Sequence, residues 1–122
     1  MGPTTSSGKP KYQPWDVVVV PFSYADRRTT SVRPAVIVSA EALSNRAGKY
    51  FLAMITSADN QPMYGDVAIS DLKTVGLPVA SVVRPTKVAT LEQASFHRRV
   101  GTLRREDRKQ VRLRLQEFLA RA

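Results

Sequence analysis

The run Asp16-Val-Val-Val-Val-Pro-Phe22 decides the class of fold. Four consecutive valines favour a β-strand, and because residues 17–22 contain no polar side chain, both faces of that strand must be covered by other parts of the chain. Further apolar runs bounded by turn residues predict strands over residues 34–40, 50–55, 67–69 and 80–91. The last of these contains Pro85, which predicts a bend or an interruption there.

Helical spacing marks the end of the chain. An apolar residue recurs at i, i+4, i+7 and i+8, which predicts one apolar stripe on a terminal helix: Val111, Leu115, Phe118 and Leu119. Shorter helical stretches are predicted for residues 93–103, for residues 41–49 and for residues 70–76, the last closed by Gly76.

Strands followed by a helix set the fold class and the domain limits. Five short strands and a terminal helix predict a mainly β (α+β) fold, a small and partly open antiparallel barrel with helices packed on it. Residues 1–13 are mostly Gly, Pro, Ser, Thr and Lys, so we expect a disordered tail there. The remaining residues, 14–122, are expected to form one domain.

Composition excludes several classes of function. The 122 residues contain no cysteine and one histidine, which excludes a disulfide scaffold, a cysteine nucleophile and the usual zinc sites. We therefore expect neither a metal nor a cofactor. No apolar run approaches the roughly 20 residues that span a bilayer, and the amino terminus has no signal-peptide core, so we expect a cytoplasmic protein that does not enter a membrane.

The charge points to an acidic partner. The net charge is +9, and 13 of the 19 basic residues are arginine, the side chain that binds phosphate in a bidentate fashion. Residues 96–122 contribute +6 of this charge, from nine basic and three acidic residues. Nucleic acid or an acidic protein fits this pattern, although a basic helix face exposed to water is an equally good explanation of the charge alone.

Two polar positions border the predicted strands. Arg33 immediately precedes the second strand, and Thr56 ends the third. In a meander the start of strand two lies beside the end of strand three, so Arg33 and Thr56 are predicted to converge at one rim. An exposed strand-edge charge and a turn hydroxyl are the structural alternatives. The loop Ser23–Val32, which carries Arg27 and Arg28, is longer than a hairpin needs and lies beside the same rim.

Five sequence blocks, in this order, carry a resemblance to a known family. They are Asp16–Phe22 (preceded by Trp15 where the family usually has Gly), Arg33-Pro-Ala-Val-Ile-Val-Ser39, Ala53-Met-Ile-Thr-Ser57, Gly76-Leu-Pro with Ser81-Val-Val, and Val100-Gly-Thr-Leu103. With these blocks the chain resembles the MazF/PemK family of toxin endoribonucleases from type II toxin–antitoxin systems.

The resemblance implies an SH3-like barrel that forms a homodimer and binds single-stranded RNA across the two subunits. It also implies metal-independent cleavage by attack of the ribose 2′-OH, which leaves a 2′,3′-cyclic phosphate and a 5′-hydroxyl, and an acidic antitoxin as partner. Arg33 and Thr56 match the family's catalytic positions. Further residues are assigned to RNA binding: Arg27, Arg28, Ser57, Arg84 and Lys87.

One block departs from the family pattern. Many members have Arg where this chain has Ala89, so Lys87 or Arg84 would have to replace that charge. This departure bears on the cleavage sequence and rate and not on the fold. The alternative function, from a different class, is a basic barrel that binds nucleic acid or protein without cleaving it, as a gyrase-poisoning relative or an inactive family member would. The two functions differ at Arg33 and Thr56, because a pure binder does not need that pair to face one phosphate.

Overall fold

The computed structural model describes residues 12–23 and 30–122. The strands are β1 (Asp16–Ser23), β2 (Thr30–Ile37), β3 (Tyr50–Ser57), β4 (Val67–Ala68), β5 (Ser81–Leu91) and β6 (Arg98–Thr102). The helices are α1 (Glu41–Ala47), a single 3₁₀ turn (Gln93–Ser95) and α2 (Arg105–Phe118). Of the predicted loop Ser23–Val32, residues 24–29, with Arg27 and Arg28, lie outside the described residues.

The strands form one antiparallel sheet in the order β4-β5-β3-β2-β1-β6. The mainly β fold with a terminal helix is thus confirmed, but the described residues contain six strands where the sequence predicted five. The sequence predicted a short helix over residues 93–103. Only residues 93–95 form a helical turn there, and residues 98–102 form β6 instead, so the prediction was wrong for that segment. This arginine-rich strand is at an edge and has little apolar surface, so its pairing with β1 sets its conformation more than its composition does.

Both faces of the central strands are buried, as the valine run predicted. Val18 and Val20 pack on one face of the sheet, with Leu52 and Phe96. Val17 packs on the other, where it joins a separate cluster. The members of that second cluster come from strands, turns and α2: Val17, Val36, Ala53, Ile55, Val67, Ile69, Val75, Val83, Leu103 and Val111.

The limits of β2 and of the tail differ from the prediction. The strand begins at Thr30 and ends at Ile37, so Pro34 lies inside it, opposite Val19, where proline is tolerated because the ladder to β3 begins only at Ala35.

The tail predicted for residues 1–13 extends too far. Tyr12 is 6% exposed, and its ring meets that of Phe96 edge-on at 5.0 Å, so it belongs to the core. Residues 1–11 of that tail lie outside the described residues.

The bend predicted at Pro85 is present as a local break in pairing. Arg84 pairs with Met54, but the neighbouring Ala53 pairs with Val88. Residues 85–87 therefore bulge out of the ladder, which directs the chain of β5 away from β3 for three residues. Lys87 lies in this bulge.

The turn closed by Gly76 is also present, although no helix precedes it. The N–H of Leu77 donates to the carbonyl of Leu72, and Gly76 N–H donates to Lys73, at 3.0 and 3.2 Å, while Gly76 adopts a left-handed φ of 68°. These are the bonds of a Schellman motif. The turn packs against Gly101 of β6 so closely that a side chain at either glycine would collide with the opposite backbone.

The stripe on α2 is only partly buried. Val111 is fully buried, and the buried carboxylate of Asp107 accepts hydrogen bonds from the N–H and hydroxyl of Ser70 at 2.9 and 3.0 Å. Further along, the stripe is exposed: Phe118, the last residue of α2, is 36% exposed. The prediction that Leu119 continues the helix was wrong, since Leu119 has extended backbone angles just beyond α2 and is 71% exposed. No helix in the described part of the chain has the length and apolar character needed to cross a membrane.

Trp15 occupies a strained backbone position. Its φ of 72° lies in the left-handed region, where glycine is favoured and other residues cost about 1 kcal/mol or more. Two hydrogen bonds hold it there: its N–H donates to Ile37 at 2.7 Å, and its carbonyl accepts from Leu103 at 2.9 Å. Packing of the indole against the second core cluster offsets the strain.

Candidate functional site

The strand register brings Arg33 and Thr56 together. Ala35 pairs with Met54, so continuing that register by two residues places Arg33 opposite Thr56. Because side chains alternate along a strand, both residues are on the face of Ala35 and Met54. Arg84 pairs with Met54 from the other side of β3 and joins them on that face.

These side chains line a cavity of about 210 Å³, here called the polar cavity. Its wall is formed by β2, β3, β5 and the loop after β3, from Arg33, Met54, Thr56, Asn60, Gln61, Arg84 and Lys87. Arg33 is half-buried, Thr56 is buried and Lys87 is exposed. Four of the residues selected from the sequence thus meet in one cavity, with three basic side chains around a single hydroxyl.

A second depression adjoins the polar cavity through shared residues. It has a volume of about 240 Å³, and Arg33 and Thr56 belong to its lining as well, so they form the boundary between the two. Ser57 lines only this depression, and its hydroxyl accepts a hydrogen bond from the N–H of Asp59 at 3.2 Å. The rest of the lining is mostly apolar: Pro34, Ile55, Leu77, Pro78, Val79 and Ser81.

Arg84 is tied into the wall of the polar cavity. Its guanidinium donates to both carboxylate oxygens of Asp66 at 3.0 Å and to the carbonyl of Gln61 at 2.9 Å. Burial alone would raise the pKa of Asp66, but the hydrogen bonds from Arg84 and Met63 N–H and the charge of Arg84 outweigh it and lower that pKa. The hydrogen bond to Asp66 raises the pKa of Arg84. The pair therefore stays ionised and fixes the loop between residues 61 and 66.

Sequence reasoning missed the residues of that loop. Asn60 and Gln61 line the polar cavity, and Asp66 holds Arg84, yet none belongs to a recognisable motif. The only available signal was the turn composition of residues 57–66, which contains Asn, Asp, Pro and Gly. In the described residues, no group of three His, Asp or Glu side chains is arranged to hold a metal ion.

The fold is similar to that of several solved toxins. An endoribonuclease from a mycobacterial species, solved in complex with its cognate antitoxin, has a TM-score of 0.69 at 14% identity, with 87% of this chain and 92% of that chain covered. The Mycobacterium tuberculosis toxin MazF-mt6 has a TM-score of 0.66 at 18% identity, with 84% and 93% covered. A MazE–MazF structure from Deinococcus radiodurans has a TM-score of 0.68 at 18% identity, with 91% and 97% covered.

The sequence defines the family. A family model described as the PemK-like, MazF-like toxin of type II toxin–antitoxin systems matches residues 13–119. No curated protein matches the chain. Because the match spans nearly the whole sequence, the chain belongs to the PemK-like, MazF-like toxin family, as the five sequence blocks predicted.

Proposed function

We propose that this protein is the toxin endoribonuclease of a type II toxin–antitoxin system and cleaves single-stranded RNA without a metal ion in the cytoplasm. The observation that carries the proposal is that Arg33 and Thr56 line the same cavity, so a positive charge and a hydroxyl face one small space. That space is of the right chemistry for a single phosphate group.

In the proposed reaction the ribose 2′-oxygen attacks the adjacent phosphorus. The new bond joins O2′ to phosphorus while the bond from phosphorus to O5′ breaks, which leaves a 2′,3′-cyclic phosphate. The 2′-hydroxyl loses its proton, and the departing O5′ gains one, which produces the 5′-hydroxyl. No water is consumed in this step, so the protein needs to stabilise charge rather than activate a nucleophilic water.

Arg33 stabilises the negative charge that develops on the phosphate oxygens, because a guanidinium carries a positive charge and donates two parallel hydrogen bonds. Thr56 orients the phosphate through its hydroxyl. A guanidinium is a poor proton donor, so electrostatic stabilisation is the role assigned to Arg33.

The remaining RNA contacts follow the two depressions. Lys87 faces the polar cavity from the β5 bulge, and Ser57 borders the adjoining depression, whose apolar wall suits a ribose or base. Arg84, whose guanidinium is held in the cavity wall, contributes its positive charge to the binding of RNA. Arg27 and Arg28, which lie outside the described residues, are proposed to contact phosphates next to this site.

A homodimer is proposed through an apolar groove on the opposite side of β3. This groove has a volume of about 470 Å³ between the end of α2 and the outer side of β3 and β5. Its lining includes large apolar side chains that the monomer leaves exposed: Phe51, Val88, Phe118 and Leu119. A symmetric contact between two copies would cover each of these side chains with its equivalent patch.

An acidic antitoxin is the proposed protein partner. The mycobacterial relative was solved with its cognate antitoxin, and the Deinococcus structure contains MazE with MazF. With a net charge of +9, this chain favours a partner whose carboxylates occupy the phosphate positions near Arg33. RNA and antitoxin are therefore expected to compete for the polar cavity.

The test is to incubate the purified protein with a defined single-stranded RNA in EDTA and to map both new ends. The expected products are a 2′,3′-cyclic phosphate and a 5′-hydroxyl at a reproducible position, with chelation leaving the rate unchanged. A 5′-phosphate product or loss of activity in EDTA would contradict the mechanism.

One observation favours the alternative, a barrel that binds without cleaving. Ala89 stands where many family members have Arg, and the nearby Arg84 is already bound to Asp66 and Gln61. The same experiment separates the two functions, because a pure binder would retain the RNA in a shift assay and leave it intact.

A further inference from the structure

The loop after β3 folds back over the strand end in a tight turn. The N–H of Asn60 donates to the carbonyl of Ser57 at 3.1 Å, and the N–H of Asp59 donates to the Ser57 hydroxyl at 3.2 Å. Ala58 N–H donates to the carbonyl of Ala80 at 2.9 Å, which attaches the turn to the segment before β5. The reversal returns the side chain of Asn60 to the preceding strand at Thr56.

The hydrogen bond between Asn60 and Thr56 has a defined direction. The side-chain amide of Asn60 donates a hydrogen bond to the Thr56 hydroxyl oxygen. Among residues 12–23 and 30–122, this is the one side-chain hydrogen bond that Thr56 makes, and its side chain is buried at 8% exposure. A threonine hydroxyl has one proton to donate and two lone pairs to accept with. Because Asn60 occupies a lone pair, the proton remains available for a group that enters the polar cavity.

We propose that Asn60 is a positioning residue that orients the Thr56 hydroxyl so that its proton is donated to an oxygen of the bound phosphate. The inference rests on the proposed function, since it names the residue that sets the direction of a hydrogen bond in that site. A neighbouring acceptor in place of the amide would have the opposite effect, because it would take the threonine proton itself.

Asn60 itself is exposed, but the loop that follows it is held at several further points. Arg84 binds the carbonyl of Gln61 and the carboxylate of Asp66. At the loop tip, the Tyr64 hydroxyl donates to Glu117 of α2, and its ring lies 6.0 Å from that of Phe118. A donor fixed before the substrate binds loses no conformational entropy at that moment, which is the condition for effective orientation.

A double-mutant cycle tests the inference on the intact protein. The kcat and KM for RNA cleavage are measured for Asn60→Ala, Thr56→Val and the double variant. Asn60→Ala is expected to lower kcat about tenfold with little change in KM, the size of one well-placed neutral hydrogen bond. In the Thr56→Val background the same change is expected to have no further effect, because the hydroxyl it orients is gone.

A near-isosteric variant separates orientation from loop structure. Asn60→Asp preserves size but replaces the donating amide with a carboxylate, which accepts the Thr56 proton and repels phosphate, so kcat is expected to fall further than in Asn60→Ala. Thr56→Ser retains the hydroxyl and is expected to keep sensitivity to Asn60→Ala. Asn45→Ala, an exposed asparagine on α1, is the matched control and is expected to leave kcat unchanged.

The outcomes are distinct. If the wild-type protein cleaves RNA and the losses of kcat for Asn60→Ala and Thr56→Val add up in the double variant, the positioning role is overturned and the proposed function stands. Equal losses for Asn60→Ala and Asn60→Asp would overturn it as well, because a purely structural residue does not distinguish donor from acceptor. A wild-type protein that binds RNA and never cleaves it would overturn the proposed function and the positioning role with it.

Discussion

The two faces of β3 have opposite chemistry. On the face of Met54 and Thr56, the lining of the polar cavity includes side chains that hydrogen-bond within the protein: Asn60 to Thr56, and Arg84 to Asp66 outside the lining. On the face of Phe51, the groove beside α2 leaves large apolar side chains without cover. The first face carries the proposed phosphate site, whereas the second carries the proposed dimer contact. One strand therefore separates proposed chemistry from proposed assembly.

The largest expected effect is on the polar face. Arg33→Ala removes the fixed charge that we assign to the phosphate, so RNA cleavage is expected to slow by about 10²–10³-fold, as for lost oxyanion donors. Cleavage is measured under single-turnover conditions, and thermal melting is expected to stay close to that of the wild type.

Two companion variants sharpen this result. Arg33→Lys is expected to restore little activity, because a point charge does not reproduce two parallel hydrogen bonds. Arg46→Ala removes an exposed arginine in the last turn of α1 and is the matched control, with activity expected to be unchanged. Near-wild-type cleavage by a well-folded Arg33→Ala protein would show that the chemistry lies elsewhere.

Meander topology explains why the approach of Arg33 to Thr56 was predictable from sequence. The apolar run after Arg33 predicts β2 and the one before Thr56 predicts β3, and antiparallel pairing of neighbouring strands then places Arg33 beside Thr56 without knowledge of any side-chain contact. The arginine-rich β6 was not predictable, because its conformation depends on pairing with β1 rather than on its own composition.

The residues whose positions depend on tertiary contacts were likewise not predictable from the sequence. Asn60 reaches Thr56 only because a turn and several anchors reverse the loop, and no periodic pattern encodes that reversal. On the other face, helical periodicity predicted an apolar stripe that includes Phe118 and Leu119, but Leu119 lies beyond the end of α2. Periodicity also did not reveal that both side chains are exposed, because it marks which side chains share a face and not whether that face is covered.

One introduced charge is expected to disrupt the proposed dimer contact on the apolar face. Leu119→Asp places a carboxylate among Phe51, Val88 and Phe118, so the dissociation constant of the dimer is expected to rise at least about 30-fold, the cost of losing one interface hot spot. Sedimentation velocity over a concentration series measures the shift. Leu113→Asp is the control, since Leu113 is an exposed leucine of α2 that does not line the groove. Equal behaviour of both variants would place the dimer contact outside this groove.

A smaller effect concerns the ion pair that stiffens the polar face. The pKa of Asp66 is lowered below its ordinary value of 3.8 in the folded protein, so its ionisation stabilises the fold above about pH 4 and this contribution disappears as the pH falls through the folded pKa. Asp66→Asn is expected to lower the free energy of unfolding by about 1–2 kcal/mol at pH 7. Urea unfolding at pH 7 and at pH 3 measures the difference, which should shrink at the lower pH. A difference that is equal at both pH values would show that the carboxylate charge is not its source.

The smallest effect tests whether the rim of the polar cavity contacts RNA phosphate. Lys87 is exposed in the bulge that follows Arg84, so it lies close enough to the cavity to neutralise a phosphate without belonging to the folded core. Lys87→Gln is expected to weaken RNA binding by a few-fold and to reduce the slope of log K against log salt by about 0.7, the value for one phosphate contact on a single strand. Lys73→Gln removes an equal charge from the exposed turn before Gly76 and is expected to leave the slope nearly unchanged, because distant charges act only through the screened field of the whole protein. If the two substitutions lowered the slope equally, Lys87 would contribute only to the overall positive charge, and the polar face would bind phosphate through Arg33 and residues of the β1–β2 loop instead.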